Sequence, residues 1–244
     1  MQKNEHDKLA AKAAYRELPL RQKLEHIWIY FKWPILLGLA ALIIAGSVAK
    51  RILTKKDPVL YLAYINTAVG SELDEALGPG YLDWAGADQK KQEVLIYRDL
   101  YLSEDAGLVT HETAYASRLK TMAAIEGHQL DLVLVSREAW DMLSASGYLL
   151  PLDEALQTAP ALAAQLAPYL MENEIILEDN AIEVQLGEAE RYEAVTETAR
   201  NAVDLSQCPR IRAAGFGETV YLAVIANTPR LETCLDYMEY LYSE

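Results

Sequence analysis

Seventeen consecutive residues, Trp33 to Ala49 (WPILLGLAALIIAGSVA), carry no charge, and no comparable run occurs elsewhere in the chain. That length lies at the lower limit for a helix crossing hydrocarbon. Trp28, Tyr30, Lys32 and Trp33 form an aromatic and basic belt before it, and Lys50, Arg51, Lys55 and Lys56 close the far side. A buried core helix is rarely bracketed in this way, so the run reads as a transmembrane helix over 34–49. Small residues at Ser47-Val48-Ala49 keep signal-peptide cleavage open as the rival. The 33 residues ahead of a span over 34–49 are long for a signal leader, and no cysteine lies near its end to take a lipid, which favours an uncleaved anchor.

Upstream, Leu20, Leu24, Ile27, Trp28 and Phe31 repeat at helical spacing and predict an amphipathic juxtamembrane helix, or an extension of the span itself. Residues 1–33 thus read as a basic cytoplasmic tail and 50–57 as a linker. Charge splits sharply here. Residues 1–56 hold 11 Lys/Arg and 4 Asp/Glu, a net +7, which leaves 11 and 32, a net −21, for the rest. The basic tail favours an inside N-terminus, placing the acidic domain of 58–244 outside the cell membrane. Such a domain repels phosphate backbones, so no nucleic-acid partner is expected.

Within that domain Val59–Ile65, Leu130–Val135 and Val220–Ala226 are apolar on both faces, and Glu93–Tyr97 resembles them. Strands buried on both faces need helices above and below. Helical stretches do intervene: Tyr115, Leu119, Met122 and Ala123 share a face after a Thr110 cap, and Ser136 can cap another helix. The order predicts an α/β fold with a mostly parallel sheet and helices on both faces. Thr228 and Pro229 read as the start of a last helix with Leu231, Cys234, Leu235, Met238 and Leu241 on one stripe. Between these parts, 151–171 reads as short helices, Glu174–Leu186 as a hairpin turning at Asp179-Asn180, and Glu188, Glu190, Glu193 and Glu197 as a solvated helix face.

Two stretches carry a resemblance. DLVLVSREAWDMLSASGYLLPLDEAL (131–156) and TVYLAVIANTPRLETCLDYMEYLYSE (219–244) are similar to the strand, helix and G-x-L-x-P-L-D segment, and to the closing strand, Asn-x-Pro turn and helix, of type 2 extracellular solute-binding proteins. The basic tail and single span before DPVLYLAYIN resemble the membrane-anchored, shortened members of Gram-positive anaerobes. The resemblance implies one binding-protein lobe with a small or vestigial second lobe, because about 188 residues after the span are few for two. It also implies capture or sensing of a small solute or peptide, or an accessory scaffold for a membrane-protein partner that kept the fold and lost the ligand.

The chain lacks GxSxG, GxxxxGK[ST] and GxGxxG patterns, and His111-Glu112 opens HETAY rather than HExxH. No cofactor, no metal and no enzymatic activity are expected. Cys208 and Cys234 have no zinc spacing, and their pairing is open. Open α/β sheets bind ligands beyond the carboxyl ends of their strands. That rule selects Asn66 and Thr67 after the first strand, Asp99 and Tyr101 after the second, and Ser136 and Arg137 after the third. Each has a plainer reading as a cap or a solvated helix end.

Overall fold

A computed structural model describes residues 19, 32–34, 36–47, 55–103, 110–217 and 219–243. The chain divides into two units, 1–55 and 56–244. In the first, residues 32–34 and 36–47 are helical, and Leu36, Leu37, Leu39, Leu42, Ile43 and Ile44 all lie exposed. Among the described residues no helix is long and apolar enough to cross a membrane. Ile35, Val48 and Ala49 of the expected span, and the stripe from Leu20 to Phe31, lie outside the described residues.

The second unit is α/β. Its strands are β1 (Asp57–Ile65), β2 (Gln92–Leu100), β3 (Leu132–Val135), β4 (Leu170–Asp179), β5 (Ala194–Asp204) and β6 (Tyr221–Val224). They form one sheet in the order β2-β1-β3-β6-β5-β4. The helices are α1 (Ser71–Glu75), a π-turn (Ala76–Gly80), α2 (Tyr81–Trp84), α3 (His111–Glu126), α4 (Arg137–Ala145), α5 (Leu152–Ala155), α6 (Pro160–Leu166), α7 (Ala181–Leu186), α8 (Pro209–Ala213) and α9 (Leu231–Tyr242). Along β3 the period-2 pleat sends Leu132 and Leu134 into one core with Leu77, Leu166 and Tyr237, and Val133 and Val135 into another with Ile125 and Trp140. Helices therefore cover both faces, as the doubly apolar strands require.

The sheet is mixed rather than mostly parallel. β1 runs parallel to β2 and β3, whereas β6 is antiparallel to β3, β5 to β6 and β4 to β5. A run buried on both faces carries no mark of its direction, and β6 follows β5 as its antiparallel neighbour, which needs no crossover. The hairpin is also larger than expected. β4 pairs with β5, from Leu170 opposite Val203 to Asp179 opposite Ala194, and residues 181–186 form α7 between them. Ile182, Val184 and Leu186 fit either period. Gly187, at φ 75°, ends the helix, and the Asn180 amide donates to the Arg191 carbonyl at 2.9 Å while accepting from the Glu193 amide at 2.7 Å. Glu188, Glu190, Glu193 and Glu197 are spread over the following turn and β5 instead of one helix face. This hairpin and α7 form an arm that is continuous with the main sheet.

One helix presents a different face from that expected, and another buries more than its stripe. α3 is capped by Thr110, whose hydroxyl accepts from the Thr113 amide at 3.3 Å. It lays Ser117, Thr121, Ala124 and Ile125 on the sheet and leaves Tyr115 and Leu119 exposed. Small residues bring the helix close, and the buried Thr121 hydroxyl is satisfied by the Ser117 carbonyl at 2.9 Å. α9 begins at Leu231, beyond Thr228, and buries Cys234, Leu235, Met238 and Leu241 as the stripe predicts. It also buries three tyrosines. Tyr237 donates to the Leu77 carbonyl at 2.8 Å and Tyr240 to the Ala76 carbonyl at 2.6 Å, so their hydroxyls satisfy carbonyls of the π-turn.

Candidate functional site

The parallel arrangement of β1, β2 and β3 brings the three selected loops to one edge of the sheet. Asn66 adopts φ 53°, its amide N–H donates to the Leu100 carbonyl at 2.9 Å, and its side-chain oxygen accepts from the Leu102 amide at 2.8 Å. Its side-chain nitrogen donates to the Leu102 carbonyl. Both ends of the amide thus tie the β2 exit to the β1 exit. Thr67 donates to the Ile65 carbonyl at 3.1 Å. The Ser136 amide donates to the same carbonyl at 3.3 Å, while the Ser136 hydroxyl caps α4 through the Ala139 amide. Asn66, Thr67 and Ser136 therefore spend their polar atoms on the backbone. Tyr101 is half-buried beside them.

The other two selected residues diverge. Asp99, at φ 58°, is exposed in a shallow depression with Glu112, Thr113 and Lys120 of α3. Arg137 lines a different feature, an open groove of about 740 Å³ between α4 and the arm. Its guanidinium stacks 4.7 Å from the centre of the Trp140 ring and pairs with Asp141 at 2.9 Å. Asn173 donates to the same carboxylate at 2.8 Å. Glu172, Glu174, Thr196 and Thr198 complete a mostly polar wall. Asp141, Asn173 and the two threonines were not selected from the sequence. The i,i+4 spacing of Arg137 and Asp141 is the signal that could have found the pair.

Behind the groove the arm is fixed to α4 by buried polar groups. Trp140 donates from its indole nitrogen to Asn201 at 2.8 Å, Asn201 donates to the Ser144 hydroxyl at 2.7 Å, and Ser144 donates to the Glu174 carbonyl at 2.8 Å. Trp140, Asn201 and Ser144 have no exposed surface. The groove wall is thus held on both sides by a satisfied network.

Family models, curated proteins and solved structures offer no match to this chain. Its function therefore has to be argued from its own geometry.

The two stretches that carried the sequence resemblance meet at the other end of β3. Asp131 is fully buried and accepts from the Tyr61 amide at 2.8 Å, from Thr228 at 2.5 Å and from the Arg230 guanidinium at 2.8 Å. Arg230 also donates to the His128 carbonyl at 2.6 Å and covers the Tyr61 ring at 4.6 Å. Thr228 is therefore a ligand of this carboxylate rather than the cap of α9. The leading aspartate of one stretch and the Asn-x-Pro turn of the other form one latch, which is structural. Among the described residues no three His, Cys, Asp or Glu side chains converge as a metal site. Cys208 and Cys234 are both buried and unpaired. Burial, with the Asp131 carboxylate second, pushes the Cys234 thiol up to about 12, and burial also raises Cys208. Neither is poised as a nucleophile.

Proposed function

We propose that residues 56–244 form a non-enzymatic, membrane-anchored extracytoplasmic binding module that captures or senses a small solute or short peptide in the groove between α4 and the arm. The observation that carries this reading is the open groove of about 740 Å³, where Arg137, Asp141, Asn173, Thr196 and Thr198 offer both donors and acceptors beside a rigidly tethered wall. Its volume falls within the range of ordinary ligand clefts. The site sits to one side of the strand ends, since the amide and hydroxyls of Asn66, Thr67 and Ser136 are engaged with the backbone. The fully apolar, exposed surface of helical residues 36–44 supports anchoring to a membrane through the N-terminal unit.

The test is a thermal-shift screen of the full-length chain against amino acids, short peptides, polyamines and sugars. A ligand at a hundredfold excess over Kd stabilises the folded state by about 2.7 kcal/mol. Arg137→Ala abolishes that shift while leaving the unliganded Tm nearly in place. A shift that survives Arg137→Ala places the ligand elsewhere. The second reading, an accessory scaffold without a solute, is favoured by the apolar side chains exposed on the arm.

A further inference from the structure

Among the described residues of 56–244, eight large apolar side chains are exposed, and five of them, Leu177, Ile182, Leu186, Tyr192 and Val195, fall within the 19 residues of 177–195. Ile182 and Leu186 stand one turn apart on the same face of α7, 68% and 67% exposed. Val195 is paired with Glu178, the neighbour of Leu177, in the β4–β5 ladder. Elsewhere among the described residues of the domain only Trp84, Tyr115 and Leu119 are so exposed, so this concentration is a local exception. Charge is just as concentrated. Residues 172–197 contain nine carboxylates (Glu172, Glu174, Glu178, Asp179, Glu183, Glu188, Glu190, Glu193 and Glu197) and one cation, Arg191, a net −8.

We infer that the outer part of the arm is a docking surface for a protein partner whose contact face has an apolar centre and a Lys/Arg rim. Charge decides among the occupants. A second copy would bring one arm of −8 against another, and an anionic lipid surface would repel the arm in the same way. A basic partner gains from both terms: burial of the exposed apolar groups supplies affinity, and the opposite charges supply orientation and a fast approach. The apolar part of this surface lies outside the groove except at Tyr192, and of its nine carboxylates only Glu172 and Glu174 also line the groove, so the inference stands whether or not the groove takes a solute.

The full-length chain is titrated by fluorescence anisotropy with a labelled amphipathic peptide of leucine and lysine, and with its leucine–glutamate counterpart. Binding of the lysine peptide alone is expected, weakened at least tenfold in Ile182→Ser/Leu186→Ser. No change is expected in Tyr115→Ser/Leu119→Ser, which removes two other exposed apolar groups, from α3. Raising salt from 50 to 300 mM weakens the complex, as screening of a charged rim requires. Leu177→Ser/Val195→Thr, which leaves α7 untouched, weakens it in the same direction and guards against a loss of that helix. Equal binding by the Ile182→Ser/Leu186→Ser variant would reduce the attraction to net charge and overturn the inference. Binding of the glutamate peptide would overturn it as well. So would arm-dependent binding to phosphatidylcholine vesicles, which makes the occupant a lipid, or arm-dependent dimers by light scattering, which makes it a second copy.

Discussion

The seam between β3 and β6 and the arm of 172–197 are both antiparallel, yet they treat their side chains in opposite ways. In the seam every residue of β3 is buried, and the fully buried carboxylate beside it, Asp131, receives three hydrogen bonds, one of them from Arg230. In the arm, carboxylates and apolar groups alike face solvent. The difference teaches where the chain has used its chemistry for folding and where it has left chemistry over for something else. Asn66, Thr67 and Ser136, whose polar atoms are spent on the backbone, fall on the folding side of this division.

The largest expected effect is at the latch. Asp131→Ala leaves the Arg230 guanidinium, the Thr228 hydroxyl and the Tyr61 amide without their acceptor, and removing one partner of a buried pair costs about 3 kcal/mol or more. Against a total stability of about 5–15 kcal/mol, the urea midpoint should fall steeply or the chain should fail to fold. A small shift would mean that the seam does not depend on its carboxylate. Next comes the tether between α4 and the arm. Trp140→Phe keeps most of the ring volume but leaves the buried Asn201 oxygen without its donor, which costs about 1–3 kcal/mol. Urea unfolding measures that loss, and a neutral outcome would show the arm to be held by something other than this network.

Alkaline pH separates the regions more gently. The folded Cys234 thiol is raised from 9.0 to about 12 by burial, so its contribution is fully present below about pH 9 and is lost as pH rises toward about 12. At pH 10 this linkage amounts to about 1 kcal/mol. The Tm of the intact chain should fall above pH 9, with a shallower slope in Cys234→Ala, and both thiols should react with a thiol reagent only after unfolding. Equal slopes would contradict the burial assigned to Cys234. The smallest expected effect is in the arm itself. Ile182→Ser/Leu186→Ser should change stability by no more than about 0.5 kcal/mol, because the side chains it alters are already exposed. A larger loss, read from the same urea curves, would mean that these residues pack inside the fold.

Much of this division was legible in the residues. Strands buried on both faces demanded helices on both sides, the Thr110 and Ser136 caps stand where their spacing placed them, and the buried stripe of α9 follows its period. The direction of β6 was not legible, since Tyr221–Val224 has the same apolar pattern read either way. Nor was the exposed face of α3, because Ser117 and Thr121 face the sheet with their hydroxyls satisfied locally while Tyr115 faces water. The groove was half-legible. The rule of strand ends found Arg137, but Asn173, Thr196 and Thr198 reach it through the β4–β5 pairing, whose partner strand begins eight residues beyond α7. Long-range pairing of that kind leaves no local trace.

Amide hydrogen exchange on the unliganded full-length chain tests the contrast between seam and arm most directly, because it reads the opening free energy of each segment separately. Amides of residues 60–65, 132–135 and 221–224 should exchange only through global unfolding, while those of the outer arm, 177–179 and 194–195, exchange through local opening at rates orders of magnitude faster. Arm amides as protected as those of β3 would contradict the account, since they would make the arm part of the core rather than a surface held out for binding.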